Sequence, residues 1–165
     1  MKNILNYKML LCIFKQISEN KKLNDNLNHL LLEGFLFYED CCFLTTLYKQ
    51  QNHINKSDFI DKTGYECFIN SVHIDDYVEK DLFEQVILFS IKLIELWNNQ
   101  NNKLILNMIL SETDFGFNLK FHVYRENERW INENEICKFE EAIIIFNTCE
   151  YDGNNFLKVS DDKKM

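Results

Sequence analysis

No proline occurs among the 165 residues, and glycine and arginine are scarce, at four and two. The first absence excludes proline-rich linkers and cis-proline turns. The glycines stand singly at 34, 64, 116 and 153. A phosphate-cradling loop or dinucleotide fingerprint needs them clustered, so neither can be built. There is no nucleophile elbow and no His-Glu-x-x-His. Long apolar runs are missing too, and no stretch approaches the 18 apolar residues of a membrane span. The short run Met9 to Phe14 lies between Lys8 and Lys15, with no small-residue cleavage site after it. It does not read as a signal peptide. The expectation is a cytoplasmic chain with no membrane partner.

What is present describes an ordinary globular domain. Apolar residues make up 46% and charged residues 27%, which excludes disorder as the main state. A chain of this length folds as one domain and buries about 70% of its unfolded surface. It needs neither disulfide nor metal to hold a core. Cys12, Cys41, Cys42, Cys67, Cys137 and Cys149 form no Cys-x-x-Cys pair and no metal-ligand spacing. They read as buried thiols in a reducing compartment. On a helix, the neighbours Cys41 and Cys42 would point about 100° apart, into separate packing contacts. No cofactor and no metal are expected. The 21 Asn and 17 Ile carry the composition of an AT-rich gene.

The net charge of −8 is unevenly spread. Residues 1–62 balance to +1, and residues 63–165 to −9. A field of that sign repels phosphate backbones, which predicts no nucleic-acid partner. It suits a basic protein partner.

Apolar spacing predicts a helix over 3–18 and a second helical region from about Leu27 to Lys49, with Gly34 as a break. Residues 50–63 read as loop. Alternation after Tyr65 predicts a strand through Val72 and Ile74. Asp76 and Glu79 have the spacing of a capping box ahead of an apolar helix over about 78–98. Leu104 to Leu110 and Phe117 to Val123 alternate around Thr113–Gly116, a hairpin with Gly116 supplying a positive φ. One hairpin face is core. The other, with Asn107, Ile109, Ser111, Asn118, Lys120 and His122, is half-polar. A short strand over Arg129–Ile131 and a last helix carrying Ile136, Phe139, Ile143 and Phe146 complete the reading. The fold class is therefore a single α+β domain over 1–158: a small antiparallel-dominated sheet with helices on one face. Residues 1–50 are helical, 64–148 run strand, helix, hairpin, helix, and 159–165 are a frayed tail.

Two acidic clusters stand out. Asp75, Asp76, Glu79, Asp81 and Glu84 surround the start of the central helix. Glu126, Glu128, Glu133, Glu135, Glu140 and Glu141 surround the last turn and helix, with Trp130 among them. Acids in a first helical turn are favoured by the helix dipole, which explains part of each cluster. From the two clusters Asp75, Asp76, Glu79, Asp81, Glu126, Glu128, Glu133, Glu140 and Glu141, together with Trp130, read as partner-binding residues. No catalytic residue is assigned. His73 and His122 share the half-polar sheet face, and with Asp75 they define the alternative reading, a small enzyme. A further alternative is an acidic phage anti-defence protein that mimics nucleic acid.

The segment Phe117-Asn-Leu-Lys-Phe-His-Val-Tyr, through Arg129-Trp-Ile131, to Glu135-Ile-Cys-Lys-Phe-Glu-Glu-Ala-Ile-Ile-Ile-Phe146 resembles small bacterial immunity proteins of polymorphic-toxin and contact-dependent growth inhibition systems. The resemblance covers about 30 residues and carries no diagnostic motif. It lies in the succession of a hairpin, a polar turn with Trp and an acidic-capped helix that ends in an apolar run. It implies a cytoplasmic inhibitor that binds the C-terminal domain of a cognate toxin, often a nuclease, and blocks its active site or substrate groove.

Overall fold

Five antiparallel strands form one sheet in the computed structural model, which describes residues 4–5, 22–100 and 103–148. In chain order the elements are β1 (Ile4–Leu5), α1 (Asp25–Leu31), β2 (Phe35–Tyr38), β3 (Cys41–Leu44), α2 (Thr45–Gln50), α3 (Lys62–Ile69), β4 (Ser71–His73), α4 (Leu82–Asn98), β5 (Leu106–Glu112), β6 (Phe117–Val123) and β7 (Ile143–Asn147). Short 3-10 turns span Lys56–Asp58, Ile74–Asp76 and Glu133–Lys138. The sheet order is β1-β7-β5-β6-β4, and β2 and β3 pair separately. The α+β class and the antiparallel sheet follow the sequence expectation.

The hairpin β5–β6 forms in the expected register, with Leu106 opposite Val123 and Leu110 opposite Leu119. Its front face meets α4 in the main core, where Phe89, Leu93, Ile94, Met108, Leu110, Leu119 and Phe121 are fully buried. Each such side chain stabilises the fold by about 1.5–3 kcal/mol relative to exposure. Behind the sheet, Cys67, Ile109, Ile136, Ile143 and Ile145 form a second, smaller cluster under the 124–142 segment.

Several local expectations are corrected. Ile4–Leu5 is a strand on β7, not the start of a helix; the rest of the helix read over 3–18 lies outside the described residues. The helical reading of 27–49 holds for α1 and α2, but 35–44 is a hairpin. Its two-residue turn puts Glu39 and Asp40 at φ 50° and 60°, the both-positive geometry that matches strand twist. A short apolar run reads equally as strand or helix, and the turn decides. Cys41 and Cys42 therefore point to opposite strand faces, and both thiols are buried.

The strand read from Tyr65 is the helix α3, whose N-cap Asp61 accepts from Gly64 N–H at 2.6 Å; only Ser71–His73 is extended. Asp76 caps nothing. The Val78 N–H donates to Ile74 O at 3.0 Å, and the long helix starts later, after Asp81 in a left-handed conformation (φ 56°). Gly116 has no positive φ. A Cβ there would lie 2.9 Å from Leu82 Cδ1, the far end of a flexible side chain that would have to shift to admit it. No strand forms at Arg129–Ile131. The last helix is replaced by a 3-10 turn and β7, where three consecutive β-branched residues, Ile143 to Ile145, pair with β5 or β1. The frayed tail lies outside the described residues.

One joint links the two sheets. Glu66 and Asn70 are four residues apart, at one face of α3 and its C-terminal end. Glu66 Oε1 accepts from Cys42 N–H at 2.6 Å, and Oε2 from Val123 N–H at 2.8 Å. Asn70 Oδ1 accepts from Leu44 N–H at 3.1 Å, while its Nδ2 donates to Cys42 O and Phe121 O. Two side chains thus stand in for a strand between the inner edge of β3 and the edge of β6 that β4 is too short to cover. Without them those backbone groups would be buried and unpaired.

Candidate interaction surface

The strand register gathers acids at one end of the sheet. His73, Asn118, Ser111 and Ile143 form the last paired row across β4, β6, β5 and β7. Beyond it lie Asp75 and Asp76 after β4, Glu112 and Asp114 around the hairpin turn, and Glu140 and Glu141 before β7. Glu112 N–H donates to Ala142 O at 2.9 Å, and Ala142 N–H donates back to Glu112 Oε2 at 3.3 Å. On the other side, Asp75 Oδ1 is 3.4 Å from where a Gly116 Cβ would sit. α4 also begins here, bringing Asp81 and Glu84. At the tip of the turn Phe115 is 80% exposed. Thr113 Oγ1 accepts from Gly116 N–H at 3.1 Å and holds the turn closed beneath it.

The structure therefore unites Asp75, Asp76, Asp81, Glu140 and Glu141, which stand apart in sequence. Glu79 is exposed on the same connection between β4 and α4. Sequence reasoning missed Phe115, Asp114 and Glu112. The signal available was a bulky apolar residue in a turn whose neighbours are polar.

The other expected partner residues lie elsewhere. Glu126 is exposed past the far end of β6. Glu128 is committed internally: it accepts from Thr63 N–H at 2.8 Å and lies 3.9 Å from Arg125. Burial opposes its ionisation, yet bonds from Thr63 and the Arg125 charge outweigh that and hold its carboxyl below the usual range. Trp130, 42% exposed, lies over the half-polar sheet face with Lys120 Nζ 5.9 Å from its ring. Glu133 starts the 3-10 turn, which Asn132 caps by accepting from Asn134 N–H.

Under Trp130 the sheet face is polar and filled. Asn147, Asn107 and His122 form one row across β7, β5 and β6. His122 Nδ1–H donates to Val123 O at 2.9 Å, and its Nε2 accepts from Asn107 Nδ2 at 3.2 Å. Burial holds the imidazole below its ordinary pKa, which keeps it neutral and able to accept. Lys120 Nζ donates to Ser71 Oγ at 2.7 Å, and burial lowers the lysine's pKa too. A cleft of about 10 Å³ beside Asn107, His122 and Trp130 has room for about one water.

His73 and His122 are not brought together. His73 pairs with Asn118, four residues from His122 along β6, which is about 13 Å of strand. Among the described residues no group of three or more His, Cys, Asp or Glu side chains converges as a metal site. Burial raises the Cys41 thiol to about 11 and pushes Cys42 and Cys67 up as well, so none is a ready nucleophile. Among the described residues no helix is long and apolar enough to cross a membrane.

Comparison with known proteins places the chain. The family described as "Uncharacterized protein PM0498 family" matches residues 4–159. The chain belongs to that family. Within the PM0498 family, it is 28% identical to "Uncharacterized protein PM0498" of Pasteurella multocida (strain Pm70), over 79% of this chain and 94% of the relative. No solved structure matches.

Proposed function

We propose that this member of the PM0498 family is an immunity protein. It binds the basic C-terminal domain of a cognate toxin, a nuclease, in the cytoplasm and occludes its active site or substrate groove. It has no catalysis of its own. The observation that carries this reading is Phe115, 80% exposed at a hairpin tip and set among the turn-end acids. A large apolar anchor inside a charged rim is the anatomy of a protein-binding site. The acids steer a basic partner toward that anchor and speed association at low salt. A nuclease groove, built to take phosphate, is a basic surface of the required kind.

The resemblance of the 117–146 segment to immunity proteins supports the same reading through its hairpin and its Trp-bearing turn, whereas the capped helix it also included is a 3-10 turn and β7 here. The test is co-expression with the toxin encoded beside it, with calorimetry on the purified pair. Rescue of growth and a stoichiometric complex, both lost in Phe115→Ala with Asp114→Lys, are expected. Unchanged toxicity and no measurable heat would sink the proposal.

A further inference from the structure

Lys120 stands in the middle of the half-polar sheet face. It lies on β6, with Ser71 of β4 and Ile109 of β5 each directly opposite it. Ile109 belongs to the small rear cluster with Cys67, so the lysine stem has apolar surface beside it. The ammonium group donates to Ser71 Oγ at 2.7 Å, and the Ser71 hydroxyl donates onward to Asn118 Oδ1 at 3.2 Å. The Trp130 ring centre is 5.9 Å from Nζ. Arg125, just past the same strand, is matched by Glu66 and Glu128. Lys120 has no such match: among the described residues no carboxylate comes within ion-pair distance of it. The titratable groups facing it are uncharged or shared with solvent. From α3 comes the buried Cys67 thiol, which burial keeps protonated. From β6 comes His122, kept neutral, and from β4 the exposed His73. A half-buried ammonium without a counter-ion loses hydration and gains no pairing, which favours its free-amine form relative to an exposed lysine. Burial lowers its pKa in that sense. Desolvated lysines of this kind are the ones suited to attack carbonyl carbon.

We infer that Lys120 is a carbonyl-reactive amine, a modification site that takes small uncharged aldehydes as a Schiff base. The free amine attacks the aldehyde carbon. Its two N–H protons leave with the carbonyl oxygen as water, and a C=N bond replaces the C=O bond. No oxidant or reductant enters. Once protonated from solvent, the imine is again a cation with one N–H, so it keeps both the Ser71 bond and the attraction to the Trp130 ring. An acyl donor would leave a neutral amide and lose that attraction, which selects carbonyl compounds. The apolar Ile109 and Trp130 beside the amine select an aldehyde without charge. This site is in mid-sheet, apart from the Phe115 end, and does not depend on toxin binding.

The probe is propanal with cyanoborohydride, which reduces each imine to a stable propyl-lysine that mass spectrometry maps. With folded, full-length protein, limiting aldehyde and neutral pH, Lys120 is expected to react several-fold faster than the exposed Lys80 and Lys103. The preference is expected to vanish in denaturing urea. It is expected to vanish also above the ordinary lysine range of pH, where every amine is free. Ser71→Asp, on the edge strand β4, sets a carboxylate opposite the ammonium and is expected to cancel the preference with the amide spectrum unchanged. If that variant does not fold, the pH comparison decides alone. The inference is overturned if Lys120 reacts no faster than Lys80 and Lys103 at neutral pH, or if folded Ser71→Asp keeps the native rate. A preference that persists at high pH also overturns it, because plain accessibility would then explain the labelling.

Discussion

The two ends of the sheet treat acidic side chains in opposite ways. At the Val123 end, Glu66 is fully buried and both its oxygens are saturated: Arg125 donates to them at 2.8 and 2.9 Å, and the backbone of β3 and β6 donates as well. Arg125 in turn donates to Asp40 O and Val123 O. At the Gly116 end, most of the acids are exposed and gather around an uncovered phenylalanine. The difference separates two uses of charge. A buried carboxylate with every lone pair satisfied locks one arrangement of the chain. An exposed set around an apolar centre contributes little to folding, and it is the surface we propose for the toxin.

That contrast can be broken from either side. The largest effect is expected at Glu66. Glu66→Ala leaves Arg125 without its carboxylate and strands two buried N–H groups, at a cost of about 3–5 kcal/mol; urea unfolding measures it. Asn70→Ala removes three bonds from the same joint and is expected to cost about 2 kcal/mol by the same measurement. A loss no larger than that of an exposed-site change would show the joint is not what links the sheets. At the other end, Phe115→Ala is expected to move stability by under about 0.5 kcal/mol and to weaken toxin binding by about 2 kcal/mol. Calorimetry and unfolding on the same variant separate the two.

The smallest effect is in pH. Burial depresses the His122 pKa in the folded state, so the folded protein binds fewer protons there than the unfolded chain. Its contribution to stability is full above the unfolded value of about 6.5 and is lost as pH falls from there toward the lowered folded value. Unfolding midpoints measured downward from pH 7 should fall more steeply in the native protein than in His122→Gln.

The hairpin β5–β6 and the helix α4 were legible because each has a long, unmixed period: two for Leu106 to Val123, and an apolar surface nearly all round for Leu82 to Trp97. The hairpin β2–β3 was not, because Phe35–Leu44 is apolar in any conformation, and only the Glu39-Asp40 turn and its partners choose the strand. β7 read as a helix because Ile143 and Phe146 keep helical spacing, while pairing with β5 overrides it. Of the residues expected to bind a partner, the structure brings those around Asp75 and Glu141 to one end of the sheet, a convergence that the sequence did not show.

The sequence by itself determined composition-level facts: one acidic α+β domain, a central apolar helix, and a hairpin with one core face. Those rest on local periodicity and on the sign of the charge, which no folding changes. Only the tertiary structure decided which acids meet. Pairing of β4, β5, β6 and β7 sets residues from 75 to 141 side by side at one end, while α3 draws Glu66 inside and the turn leaves Phe115 out. Burial and pairing are properties of neighbours distant in sequence, and the chain order does not encode them locally.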